Sequence, residues 1–197
     1  MAKGAVNPDP ADLTDGEVIA RSLRSSELFA VVFDRHQAAI HAYAARRAGV
    51  DAADDVLADV FLAAFAHRKR YDPAVTSALP WLYGIAGNIV KRRWRTLAAV
   101  DRVHQSAAAH APGSHASHED GIADGLAVAE RWGAVRALLD ELADGDREAI
   151  LLFAWEELTY PEIAVAMGIP VGTVRSRIHR ARNRLRASLD DTLEVRR

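Results

Sequence analysis

The chain has 197 residues, half of them hydrophobic and about a quarter charged, with a formal net charge of −2 and no cysteine. That composition suits a globular protein with one medium domain or two small ones, while the missing thiols exclude disulfides, thiolate metal sites and cysteine catalysis. No run nears the ~18 consecutive apolar residues that cross a bilayer, and the opening "MAKGAVNPDPADLTDGE" has no signal-like apolar core. The expected setting is therefore cytoplasmic, without membrane insertion.

Apolar spacing is helical nearly throughout and no strand pattern stands out, so the fold is expected to be all-α. Residues 1–14 read as a disordered polar tail, followed by a short helix in "GEVIARSL". Ser25 or Ser26 can cap the next helix, whose stripe is Phe29, Val32, Phe33, His36, Ile40 and Tyr43, and Gly49 ends it. "DAADDVLADVFLAAFAHR" follows with acids in its first turn and an expected buried stripe of Leu57, Val60, Phe61, Ala64 and Phe65. The loop "KRYDPAVTSA" leads to Pro80, placed to start "PWLYGIAGNIVKRRWRTL", in which Leu82, Ile85 and Ile89 are spaced to pack. These elements make one small domain, about residues 15–97.

Residues 98–126 are rich in Ala, Ser, His and Gly and read as a flexible linker. Its histidines, His104, His110, His115 and His118, have no organised acids beside them, so neither a metal nor a cofactor is expected. A second helical domain spans about 127–192, with Trp132, Val135, Leu138, Leu139 and Leu142 toward its core and a helix in "DGDREAILLFAWEEL".

Charge divides sharply along the chain. Residues 61–97 carry 7 cations against 1 acid, and residues 171–197 carry 8 against 3. The intervening 98–170 carry 4 against 13. Two basic islands in an acidic background are the footprint of a polyanion binder that touches its ligand twice.

The second island begins with a helix-turn-helix. Thr159 and Glu162 have capping-box spacing, Gly168 can stop the short helix in a left-handed conformation, and Pro170 suits the start of the next. Small Ala164 allows close approach, and Ile163, Met167, Ile169, Val174 and Ile178 can hold the pair at a steep angle. On a wheel of about 100° per residue, Val174, Ile178, Ala181, Leu185 and Leu189 form the core stripe. Ser176, Arg180 and Asn183 lie opposite, with Thr173 and His179 beside them. Arg175, Arg182 and Arg186 line one flank, Arg177 and Arg184 the other. Polar tips toward base edges between two rows of cations suit a major groove, and no acid occurs from Val171 to Leu189. In the first island Asn88, Lys91, Arg92 and Arg95 share a side, with Lys69, Arg70 and Tyr71 in the preceding loop. Cations beside an amide and an aromatic ring suit single-stranded or distorted DNA.

In this order, "DDVLADVFLAAF", "PWLYGIAGNIVKRRWR" and "LTYPEIAVAMGIPVGTVRSRIHRARNRLR" resemble the extracytoplasmic-function (ECF) RNA polymerase sigma factors across about residues 15–190. The resemblance implies two small helical domains joined by a flexible linker, and a factor that directs core RNA polymerase to promoters. It implies that Asp54, Asp55, Asp59 and Phe61 meet the β′ clamp helices, and that the second domain docks on the β flap. The 69–78 loop would pocket a flipped −10 base while Lys69, Arg70, Tyr71, Asn88, Lys91, Arg92 and Arg95 hold the strand. Thr173, Arg175, Ser176, Arg177, His179, Arg180, Arg182 and Arg184 would form the −35 surface, with Arg180 the leading base reader. An anti-sigma factor is an expected partner, and the linker is expected to thread the polymerase cleft. Two positions depart from the family's habit: Asp59 stands where Gln is frequent, and Gly87 where a larger, often basic residue is usual. The end of the chain soon after the last helix implies no extra carboxyl-terminal domain. A stand-alone helix-turn-helix regulator is the alternative; no nucleophile elbow, phosphate loop or metal-ligand pair points to an enzyme.

Overall fold

The structure is a computed structural model that describes residue 9, residues 12–107, residue 135 and residues 137–194. Its contacts fall into two compact units, Met1–Val100 and Asp101–Arg197. Among the described residues there is no strand.

In the first unit, helix α1 (Asp15–Ser22) starts at a complete capping box: the Glu17 amide donates to Thr14 Oγ1, and Glu17 Oε2 accepts from the Thr14 amide. A 3-10 turn, Ser26–Phe29, feeds α2 (Ala30–Ala48). Ser25 makes no side-chain cap bond, because the tighter turn supplies the entry instead. Gly49 adopts φ +90 and ends α2 one residue before α3 (Val50–His67), a conformation that a Cβ would strain. Helix α4 (Leu79–Ala107) completes the unit with its residues up to Val100.

Val32, Ile40 and Tyr43 of α2, Val56 and Val60 of α3, and Leu82 and Val90 of α4 are almost fully buried. Edge-to-face rings link Phe29 to Phe65 and Phe33 to Phe61, at 5.4 and 4.8 Å between centroids. The buried face of α4 is rotated from the expected one. Tyr83, Ala86 and Val90 join Leu82 inside, whereas Ile85 and Ile89 are half-buried. Gly87 lies on the buried side of α4, so a long basic side chain there would not simply face solvent. The helix also runs to Ala107, into the stretch expected to be linker. Its extension, "TLAAVDRVHQSA", contains strong helix formers and neither glycine nor proline, so nothing stops it. His110, His115 and His118 lie outside the described residues.

In the second unit residues 137–140 are helical, and Leu142 is buried while Val135 is exposed rather than turned to the core. Trp132 lies outside the described residues. Helix α5 (Asp144–Ala154) stops before "WEEL", where Glu157 takes a positive φ of 54 and the Leu158 amide folds back to Leu152 O. Helices α6 (Tyr160–Met167) and α7 (Val171–Glu194) pack on α5. Leu152, Leu158, Ile163, Val174, Ile178 and Ala181 form the core between them.

Candidate nucleic-acid interface

The geometry of α6 and α7 follows from local chemistry. Thr159 and Glu162 form the capping box, and Gly168 at φ +62 closes α6 in the left-handed region. The Ile169 amide bonds to Ala164 O across that turn, and Pro170 O accepts from the Thr173 and Val174 amides to start α7. With Val174, Ile178 and Ala181 buried, the opposite face of α7 is presented outward: Arg175, Ser176, His179, Arg180 and Asn183 are exposed and Thr173 is half-buried.

The arginines of α7 are not equivalent. Arg180 grips Asp146 of α5 with both ends of its guanidinium, Nε at 2.9 Å and Nη2 at 2.8 Å. That bond raises the Arg180 pKa still further, so its charge is permanent. The wheel had grouped it with Ser176 and Asn183 as a free tip; instead it belongs to the flank that meets the start of α5. On that flank Arg177 covers Gly145, and Arg184 lies 3.8 Å from Glu141. Arg182 is stacked 4.8 Å over the Phe153 ring. His179 and Asn183 are bonded to each other at 3.0 Å, and the Ser176 hydroxyl donates to Thr173 O. Among the described residues Arg175 and Arg186 have no ion pair, which makes Arg175, not Arg180, the unengaged cation nearest the start of the helix.

In the first unit Lys69 and Arg70 lie exposed in a 3-10 turn, Arg68–Arg70. Tyr71 is held within the loop. Its ring packs on Trp81 at 5.0 Å between centroids and its hydroxyl donates to Ser77 O at 2.9 Å. Burial, with Asp15 and Asp72 nearby, pushes its hydroxyl up to about 12. Tyr71 therefore shapes the loop, and residues 72–76 are what the loop exposes. Asn88, Arg92 and Arg95 project from α4 and are exposed; Lys91 beside them is half-buried.

Residues 32–100 match the family described as Sigma-70 region 2, and residues 132–185 that described as Sigma-70, region 4. The ECF RNA polymerase sigma factor SigK of Mycolicibacterium vanbaalenii is 30% identical over 173 residues, 84% of each chain. The RNA polymerase sigma factor CnrH of Cupriavidus metallidurans is 32% identical over 196 residues, 94% of this chain and 97% of that one. The chain belongs to the ECF sigma-factor family. This sigma factor is thus a promoter-recognising protein of transcription initiation, and the stand-alone regulator is not favoured. A solved structure of CnrH in complex with the cytosolic domain of CnrY matches it with a TM-score of 0.63 at 27% identity, covering 93% of this chain and 99% of that one. The sigma factor RpoE of Bartonella quintana, solved with the anti-sigma factor NepR, shares the fold at a TM-score of 0.56 and 22% identity, over 85% of this chain and 97% of that one.

One face of α3 in the sigma factor's first unit is acidic. Asp54, Asp55 and Asp59 are exposed on α3, with His41 3.2 Å from Asp54 and Arg93 3.3 Å from Asp55. Phe61 lies beneath this face, turned into the core against Phe33 as the apolar stripe of α3 implied. Leu62, 68% exposed one turn beyond Asp59, is the apolar residue that the face presents. The sequence reading missed it because a leucine inside an apolar stretch is indistinguishable there from core. Asp15 and Asp146 were missed for a related reason: each looked like an ordinary first-turn acid. Among the described residues no group of side chains could hold a metal, and no helix is long and apolar enough to cross a membrane.

Proposed function

We propose that this sigma factor binds core RNA polymerase through the acidic face of α3 and grips promoter DNA at two elements, without catalysing a reaction itself. Asp54, Asp55, Asp59 and Leu62 form the surface for the β′ clamp helices: separated acids around one apolar side chain suit a basic partner helix. Loop 69–78 pockets a flipped −10 base, and Asn88, Arg92 and Arg95 hold the strand beside it, with Lys69, Arg70 and Lys91 completing the positive surface. The second domain docks on the β flap and lays α7 in the −35 major groove. Arg175, Ser176 and His179 face base edges, while Arg177, Arg182 and Arg184 meet the flanking phosphates and Arg180 stays on Asp146. The two domains, about 15–97 and 127–192, are joined by a segment that begins as the helical end of α4. The protein works in the cytoplasm, where polymerase and promoter are found.

The observation that carries this reading is the pairing of the acid-free stretch 171–189 of the recognition helix with a second, separate basic surface on α4. Because CnrH is solved with the cytosolic domain of CnrY, we also infer that an anti-sigma partner covers these surfaces when the factor is held inactive. Run-off transcription tests the main reading. The purified factor with core polymerase is expected to initiate from asymmetric two-element promoters. Sequence-specific binding by the factor alone to a two-fold symmetric site, with no polymerase-dependent initiation, would overturn it.

A further inference from the structure

Helix α1 lies outside the residues matched by the region 2 family, yet it is fastened to the loop that follows α3. The Asp15 side chain is only 5% exposed. Its Oδ1 accepts from Arg35 Nη1 at 2.7 Å, and its Oδ2 accepts from the Ala78 amide at 2.7 Å and lies 2.6 Å from His36 Nε2. An ionised carboxylate can only accept, so that imidazole nitrogen carries the hydrogen. The Asp15 amide in turn donates to Thr76 O at 3.0 Å. One residue thus holds the loop from both directions, a carbonyl at Thr76 and an amide at Ala78, and ties it to α2.

The neighbouring residue fixes the distance. A Cβ on Gly16 would collide with the carbonyl oxygens of Pro73 and Val75, so only glycine lets α1 approach the loop this closely. Inside the loop the bonds are short-range: Ala74 amide to Asp72 Oδ1, Val75 amide to Asp72 O, Tyr71 hydroxyl to Ser77 O. They shape the loop, but they do not place it. Residues 72–76 are exposed, and α1, together with the packing of Tyr71 on Trp81, sets their height and orientation.

We propose that Asp15, with Gly16 beside it, is a positioning residue for promoter recognition: it places loop 71–78 and thereby decides which −10 base that loop accepts. This rests on the reading of the loop as the −10 base pocket. A carboxylate with donors converging from α2 and the loop has one geometry, whereas an apolar contact would hold α1 in place without fixing the loop's register. Base discrimination by a preformed pocket depends on such placement, because hydrogen-bond partners must meet the correct base and miss the others.

The test uses full-length factor with core polymerase on promoters in which each −10 base is changed in turn, beside a matching −35 set. A wrong base ordinarily costs about 5- to 150-fold. In the Asp15→Asn and Gly16→Ala proteins, the ratio between the best and the substituted −10 base is expected to shrink by about fivefold or more. Preference at −35 and affinity for core polymerase are expected to stay unchanged. Substitution at Val75 and Thr76, two of the exposed loop residues, separates the pocket from its positioning. If Val75→Ala and Thr76→Ala change −10 preference while Asp15→Asn and Gly16→Ala only lower the melting temperature, the positioning role is wrong and the pocket stands. If none of the four changes −10 preference, the pocket reading fails and takes this proposal with it. Should Asp15→Asn not fold, Gly16→Ala, which leaves every charge in place, decides alone.

Discussion

Replacing Asp15 by asparagine removes the charge on which three hydrogen-bond donors converge, and the consequence can be worked out. Burial by itself would raise the Asp15 pKa. Bonds from His36, the Ala78 amide and Arg35 outweigh that and bring it from 3.8 down to about 2. At about 1.4 kcal/mol per unit, the ionised folded state gains on the order of 2 kcal/mol relative to the unfolded chain. The folded value is the lower one, so this stability is present above the unfolded value of 3.8 and is lost as pH falls from there through about 2. Near neutral pH the Asp15→Asn protein should therefore be less stable in its first unit by about 2 kcal/mol. Between about pH 5 and pH 2.5 the gap should narrow by roughly two-thirds. Urea titration followed by residue-resolved NMR reports each unit separately, with core amides such as Ile40 and Leu82 speaking for the first. A gap that stays constant across that acid range would show that the carboxylate is not held by its donors, and would refute the reasoning.

Arg175→Ala should weaken −35 binding by about tenfold and relax preference at one base pair, as expected of an unengaged cation at a base edge, read by competition binding of the holoenzyme. Asp146→Ala releases Arg180, so the slope of log K against log salt for holoenzyme binding should steepen by about 0.9; an unchanged slope would mean that Arg180 does not reach a phosphate. Gly168→Ala meets no steric obstacle but must adopt φ +62, which should cost the second unit about 1–2 kcal/mol in urea titration. Ile163→Ala empties a fully buried site between α6 and α7. It should cost about 2–5 kcal/mol and abolish −35 preference before it affects binding of the first unit to polymerase.

Whatever is decided within about one helical turn was determined by the sequence alone. The capping boxes at Thr14 and Thr159, the left-handed Gly168, the Pro170 start and the Gly49 break act on neighbouring amides and carbonyls, so their effect is fixed before the chain folds. The acid-free stretch of α7 is likewise a property of the residues themselves, and with it came the helix-turn-helix and the first basic island. Tertiary structure decided which of those charges remain available. Arg180 is taken up by Asp146, 34 residues away, and Phe61 packs its ring against Phe33. Tyr71, expected among the residues that hold the −10 strand, is bonded to Ser77 O and packed on Trp81. Asp15 meets Ala78 across 63 residues. The wheel gives an angle around one helix, but only the packing of a second element says what stands at that angle. The role of Asp15 depends on a loop and two helices meeting at one carboxylate, and no local pattern encodes that meeting.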